Sequence, residues 1–160
     1  MQNSAQALPA VNAKRILVNI SIQANCERVW QALISEIHQW WPKDFFVYQN
    51  AKIKLEPWPG GRLYEDSGTG AGGLWYTVMN ILPPAVLELA GHLAPQWGGP
   101  ATSIVRFTLS ESNGKTEVEI DDALFGCLKP DAEKQISEGW RLLIEAGLKQ
   151  HIESNPAATI

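Results

Sequence analysis

The residues with chemical potential are few and scattered. A glycine run, Gly68-Thr69-Gly70-Ala71-Gly72-Gly73, satisfies the spacing GxGxxG after a strand-like segment, and Glu88 falls about twenty residues beyond its start, as a dinucleotide fingerprint requires. That fingerprint works only where the glycines open a helix whose N-terminus faces pyrophosphate. Here the next residues, Leu74 to Ile81, are rich in aromatic and β-branched types and are soon followed by Pro83-Pro84. The run therefore reads as a hairpin tip, and no cofactor is expected. The three histidines, His38, His92 and His151, have no His or Cys at metal-ligand spacing, so no metal centre is expected either. Cys26 and Cys127 form no CxxC pair. Spacing alone nominates no nucleophile with a base.

Alternation singles out one acid. From Thr116 to Leu124, Thr116, Val118, Ile120, Asp122 and Leu124 share one face while Glu117, Glu119 and Asp121 share the other. Asp122 is thereby expected inside, where a carboxylate needs a partner, a wet rim or a proton. His92 lies in another strand-like segment, beside Gly91. Glu56 is placed to pair with Arg62.

The elements that position these residues follow from periodicity. Arg15 to Ile22 alternates as a strand, Asn25 is the N-cap of a helical stretch, and Trp40-Trp41-Pro42 ends it, because a proline disfavours helical geometry in the residue before it. Strands and turns then run to about Phe125, with reversals at Pro59-Gly60-Gly61 and Asn113-Gly114. A long helix closes the chain. Its stripe carries Ile136, Trp140, Leu143, Ile144, Gly147, Leu148, His151 and Ile152, with Asp131 as N-cap and Gly139 expected to allow close approach of Trp140 to a sheet. Residues 1–13 read as a flexible lead-in, 14–154 as a single domain and 155–160 as a tail. A helix needing a sheet, after many antiparallel strands, gives an α+β domain.

The 160 residues carry a net charge of −4 without a Lys/Arg cluster, which argues against nucleic acid, and no apolar run approaches the twenty residues of a membrane span. A cytoplasmic location is the expectation. Seven tryptophans are many for this length, and large rings suit a wide interior or a flat apolar ligand.

Between Arg15 and Glu153 the order of Trp40-Trp41-Pro42, Leu55-Glu56-Pro57, Gly60-Gly61-Arg62, Tyr64-Glu65, Leu74-Trp75, Pro83-Pro84, Leu87-Glu88-Leu89, Thr116 to Ile120 and Gly139-Trp140 resembles the START-like, or SRPBCC, superfamily. Within it the chain is similar to the branch of the C-terminal domain of the activator of the ninety-kilodalton heat-shock protein ATPase. The resemblance implies a helix-grip fold, a curved antiparallel sheet around a long C-terminal helix, enclosing a cavity that in many members takes lipids, polyketides or other apolar molecules. Many similar sequences carry His where this chain has Asp122 and an aromatic where it has Gly91, so an enlarged cavity beside His92 is expected. The candidate wall is Trp41, Phe45, Trp75, Gly91, Phe107, Phe125, Trp140 and Leu143; the candidate polar contacts are Arg62, Tyr64, His92 and Asp122. The leading expectation is a binding domain for a small apolar molecule such as a lipid, polyketide or aromatic metabolite, and a homodimer is compatible with it. The alternatives are a cyclase- or hydrolase-like enzyme using His92 or Asp122, and a chaperone-type interaction module.

Overall fold

The computed structural model describes residues 7–156. Seven strands form one antiparallel sheet: β1 (Asn12–Ile22), β2 (Lys52–Leu55), β3 (Arg62–Asp66), β4 (Gly72–Leu82), β5 (Val86–Leu93), β6 (Ala101–Ser112) and β7 (Lys115–Gly126). Their order is β1-β7-β6-β5-β4-β3-β2, so all neighbours except β1 and β7 are joined by sequential reversals. Between β1 and β2 lie α1 (Cys26–Ser35) and α2 (Ile37–Trp40). α3 (Ala132–Leu142) runs through a π-helical stretch (Leu143–Lys149) into α4 (Gln150–Ser154), and the three segments make one C-terminal helix across the sheet. This is a helix-grip fold.

Alternation builds the core. Ile16, Val18, Ile20 and Ile22 of β1 are buried and face the same layer as Val118 and Ile120 of β7 and Val105, Phe107 and Leu109 of β6. Asn113 and Gly114 take the positive φ values of a two-residue hairpin between Ser112 and Lys115. The Asn25 side chain accepts from Arg28 N at 2.9 Å and starts α1. Glu36 separates α1 from α2, a break the continuous periodicity does not reveal, and the chain turns extended at Trp41 ahead of Pro42. Asp131 precedes α3 without a capping hydrogen bond; its carboxylate accepts from Gln135 Nε2 at 2.6 Å instead.

Two irregularities in the sheet re-aim side chains. Between β3 and β4 the register runs Leu63 opposite Tyr76 and Tyr64 opposite Leu74, which leaves Trp75 as an extra residue; between β4 and β5 Met79 is skipped in the same way. Such bulges break the two-residue period. The C-terminal helix has its own irregularity. Ile136, Trp140, Ile144, Leu148 and Ile152 recur every four residues, and in an α-helix each four-residue step over-rotates by roughly 40°. The wider i→i+5 turns of Leu143–Lys149 slow that drift, and Leu143, Ile144, Gly147 and Leu148 are all buried there. Gly147 lies against Trp40, where a β-carbon would come within 2.9 Å of the ring. His151 Nε2 meets Glu36 Oε2 at 2.6 Å, and Arg28 pairs with the same carboxylate, tying this end of the helix to α1. None of the α3 residues is fully buried, and α3 lies along β1, at the edge of the sheet.

Candidate functional site: an aromatic cavity with one carboxylate

The space under α3 is a cavity of about 230 Å³ between the helix, the inner face of the sheet and the α2 region. Its aromatic wall is built from distant segments: Trp41 from the end of α2, Phe45 from the turn that follows, Trp75 and Tyr76 from β4, Phe107 from β6 and Trp140 from α3. The rings form two groups. Trp41 sits 5.4 Å from Trp75 and 6.3 Å from Phe45, while Trp140 sits 5.5 Å from Phe107 and 6.3 Å from Tyr76. Leu143 and Leu89 contribute aliphatic wall.

The bulge at Trp75 explains how two consecutive residues of one strand line the same space, since regular alternation would send one of them outward. Tyr76 was not singled out by the sequence for this reason. Its placement depends also on Gly91, across the sheet on β5: a β-carbon there would lie 2.7 Å from the Tyr76 ring and 2.6 Å from the Trp75 carbonyl oxygen. Gly91 therefore does not enlarge the cavity, contrary to expectation; the Tyr76 ring takes up the room its missing side chain leaves. Gly139 does face open space, with nothing within 4 Å of a built β-carbon, so it lines the cavity rather than bringing Trp140 closer to the sheet.

Asp122 is the polar centre of the wall. It is 1% exposed, faces inward as alternation requires, and lies opposite Ile16 on β1 and Val105 on β6. Ser103 Oγ donates to Oδ1 at 2.6 Å and Trp140 Nε1 donates to Oδ2 at 2.8 Å, while the Tyr76 hydroxyl lies 3.4 Å from Ser103 Oγ. Burial pushes the Asp122 carboxyl above its ordinary range, and these two donors only partly oppose it. Burial also raises the Tyr76 hydroxyl, with the nearby Asp122 adding to the shift.

A second buried carboxylate supports the wall from a position the sequence did not mark. Glu65 of β3 is 1% exposed and accepts from the backbone N–H groups of Val47 and Tyr48 and from Trp75 Nε1, at 2.9 to 3.0 Å. It fixes the indole of Trp75 and the segment after Phe45 together. Alternation in Arg62 to Asp66 puts Glu65 on the face of Leu63, but it does not show the partners, which come from a loop some eighteen residues earlier and from Trp75 on β4.

The other nominated residues lie elsewhere. Phe125 is 64% exposed on the outer face of β7, one residue out of phase with Asp122 and Leu124. His92 is exposed on the outer face of β5 and meets Thr102 Oγ1 at 3.1 Å. Arg62 is exposed and paired with Glu56 at 2.7 Å, its guanidinium 4.2 Å from the Tyr64 ring centre. Tyr64 borders a separate shallow groove with Phe46 and Lys54. Of the four expected polar contacts, only Asp122 reaches the cavity. The glycine run turns between β3 and β4, with Gly72 and Gly73 already in the strand, and no helix follows it.

Residues 23–153 match the family model described as Activator of Hsp90 ATPase homolog 1-like protein. The chain belongs to that family. The family assignment accords with the START-like, SRPBCC resemblance of the sequence. Among solved structures, the DynU16 protein of the dynemicin biosynthetic locus aligns over 88% of this chain with a TM-score of 0.65 at 19% identity, and the chain spans 47% of that protein's length. An uncharacterised protein from Rhizobium leguminosarum aligns with a TM-score of 0.69 at 18% identity, over 91% of this chain and 97% of its own. The Aha1 protein from Colwellia psychrerythraea, whose solution structure is a dimer, aligns with a TM-score of 0.62 at 19% identity, over 90% and 99%. These likenesses show a common fold. No curated protein matches. Among the described residues no helix is long and apolar enough to cross a membrane.

Proposed function

We propose that this family member binds a small, mostly apolar, ring-sized molecule in the cavity under α3. The observation that carries the reading is the cavity's lining: aromatic and aliphatic side chains on all sides, and one hydrogen-bonded carboxylate cluster at Asp122 and Ser103. Apolar walls with a few placed polar groups suit the holding and orienting of a ligand. An apolar cavity of about 150 Å³ accommodates benzene, so 230 Å³ admits roughly ten non-hydrogen atoms. At roughly 0.6 kcal/mol per atom, between the limits for fragments and for drug-sized ligands, the affinity would be about 6 kcal/mol, a Kd in the tens of micromolar. His92 faces outward, so of the two residues a catalytic reading would use only Asp122 reaches the cavity.

The test is calorimetric titration of phenols, naphthols and medium-chain fatty acids, with Trp emission followed in parallel. At least one ring-sized member should bind near the expected affinity, and Gly139→Phe, which projects a ring into the open space, should abolish it. The reading fails if no member binds the wild type, or if folded Gly139→Phe binds equally well.

A further inference from the structure

Asp122 is the carboxylate in the cavity wall, and no Lys, Arg or His lines that cavity among the described residues. Both of its hydrogen-bond partners, Ser103 and Trp140, are neutral donors: they orient the group without cancelling its charge. A buried anion without a counter-ion is unfavourable, and it remains so unless it takes a proton or a cation arrives. The upward push on its titration runs toward the first of those outcomes. The rings beside it act in the same direction. Trp140 is hydrogen-bonded to the carboxylate and packs against Phe107 and Tyr76, and aromatic faces attract cations through their quadrupoles. Glu65, holding the Trp75 indole, places another acid behind the same aromatic wall with no basic side chain bonded to it.

We infer that the polar end of the cavity takes an organic ammonium ion on a ring-sized apolar body, the ammonium on Asp122 among the rings of Trp140, Tyr76 and Phe107. This rests on the ligand-binding reading above and names its ligand class. An anionic ligand is disfavoured at the same place by Asp122 itself, and a neutral alcohol gains only a hydrogen bond there.

The experiment uses three probes of similar shape: phenethylamine, 2-phenylethanol and phenylacetate, titrated calorimetrically into the full chain near neutral pH. The amine should bind at least about tenfold more tightly than the alcohol, and phenylacetate more weakly than either. Asp122→Asn should bring the amine to the alcohol's affinity while leaving the alcohol within about twofold. A second readout needs no variant. Repeating the titrations from mildly acidic to neutral pH should show the amine's advantage over the alcohol growing as pH rises, because only the ionised carboxylate holds the ammonium. Around Asp122, burial raises the Tyr76 hydroxyl, and Asp121 faces the other side of β7 in a pair with Arg15, so Asp122 is the group whose titration this pH dependence follows. If 2-phenylethanol binds as tightly as phenethylamine, or the amine keeps its advantage in folded Asp122→Asn, the ammonium inference falls while ligand binding stands. If none of the three binds, both fall.

Discussion

Replacing Gly147 by alanine sets two known effects against each other on one helix. Alanine gains roughly 1 kcal/mol over glycine in a helix interior. At position 147 the added methyl would lie 2.9 Å from Trp40 Cε3 and 3.0 Å from the Trp40 carbonyl oxygen. Neither neighbour yields readily: the ring is buried and its indole N–H donates to the Ala32 carbonyl at 2.8 Å, and the oxygen is backbone. Overpacking of this kind costs roughly 1–3 kcal/mol, so the expected net change is a loss of about 1 kcal/mol. Gly139→Ala is the internal control, because its β-carbon meets nothing within 4 Å and only the propensity gain remains. The two variants should therefore differ by about 2 kcal/mol with opposite signs relative to wild type, or roughly 4–8 °C in Tm for a chain of this size. Urea midpoints and differential scanning calorimetry measure both. If Gly147→Ala is stabilised as much as Gly139→Ala, the docking of the helix through its contact with Trp40 is wrong.

Asp122→Asn should remove a pH-dependent penalty. Burial raises the folded-state pKa of Asp122 above the unfolded value of about 3.9, so the native state binds more protons in between and wild-type stability falls as pH rises through that window, then levels off. The stability of the variant relative to wild type should thus improve from about pH 3 to pH 7; a difference independent of pH, or improving toward acid, would contradict the burial argument. Glu65→Ala should leave the Val47 and Tyr48 amides and the Trp75 indole unpaired, costing about 3 kcal/mol by denaturant midpoint and speeding hydrogen exchange at those amides; unchanged exchange there would show that the carboxylate does not hold the segment.

Legibility from sequence followed how locally each feature is determined. Asp122 was readable because β7 runs twelve residues without a bulge, so parity carries from Thr116 to Gly126. The same parity puts Phe125 outside, so ring size alone does not make it part of the wall. β4 reads as another alternating strand, but its two bulges arise from pairing with β3 and β5, which no single segment encodes. Gly91 reads from sequence as a widened cavity, and only the position of Tyr76 shows that its missing side chain seats another ring. Parity with Leu63 turns Glu65 inward, but its partners, two backbone amides and the Trp75 indole, are brought to it only by the fold. The four-residue recurrence in the last helix was visible in the letters, yet it fits the edge of an α stripe well enough that the π-helical turns went unseen.

Those turns also bear on chain length. Rings closed from i to i+5 hold one more residue than α-helical ones, so Leu143–Lys149 contains more chain than an α-helix needs to join Trp140 over the cavity to Ile152 at the base. Removing one residue at the exposed positions Glu145 or Ala146 and reverting to α geometry would leave Ile136 and Ile152 roughly 60° apart around the axis, still inside an apolar stripe about 100° wide. Adding a residue there would, by the same count, set them roughly 100° apart, at the edge of that stripe. The helix is thus expected to accept a deletion more readily than an insertion at this point, and related chains that differ here should be the shorter ones.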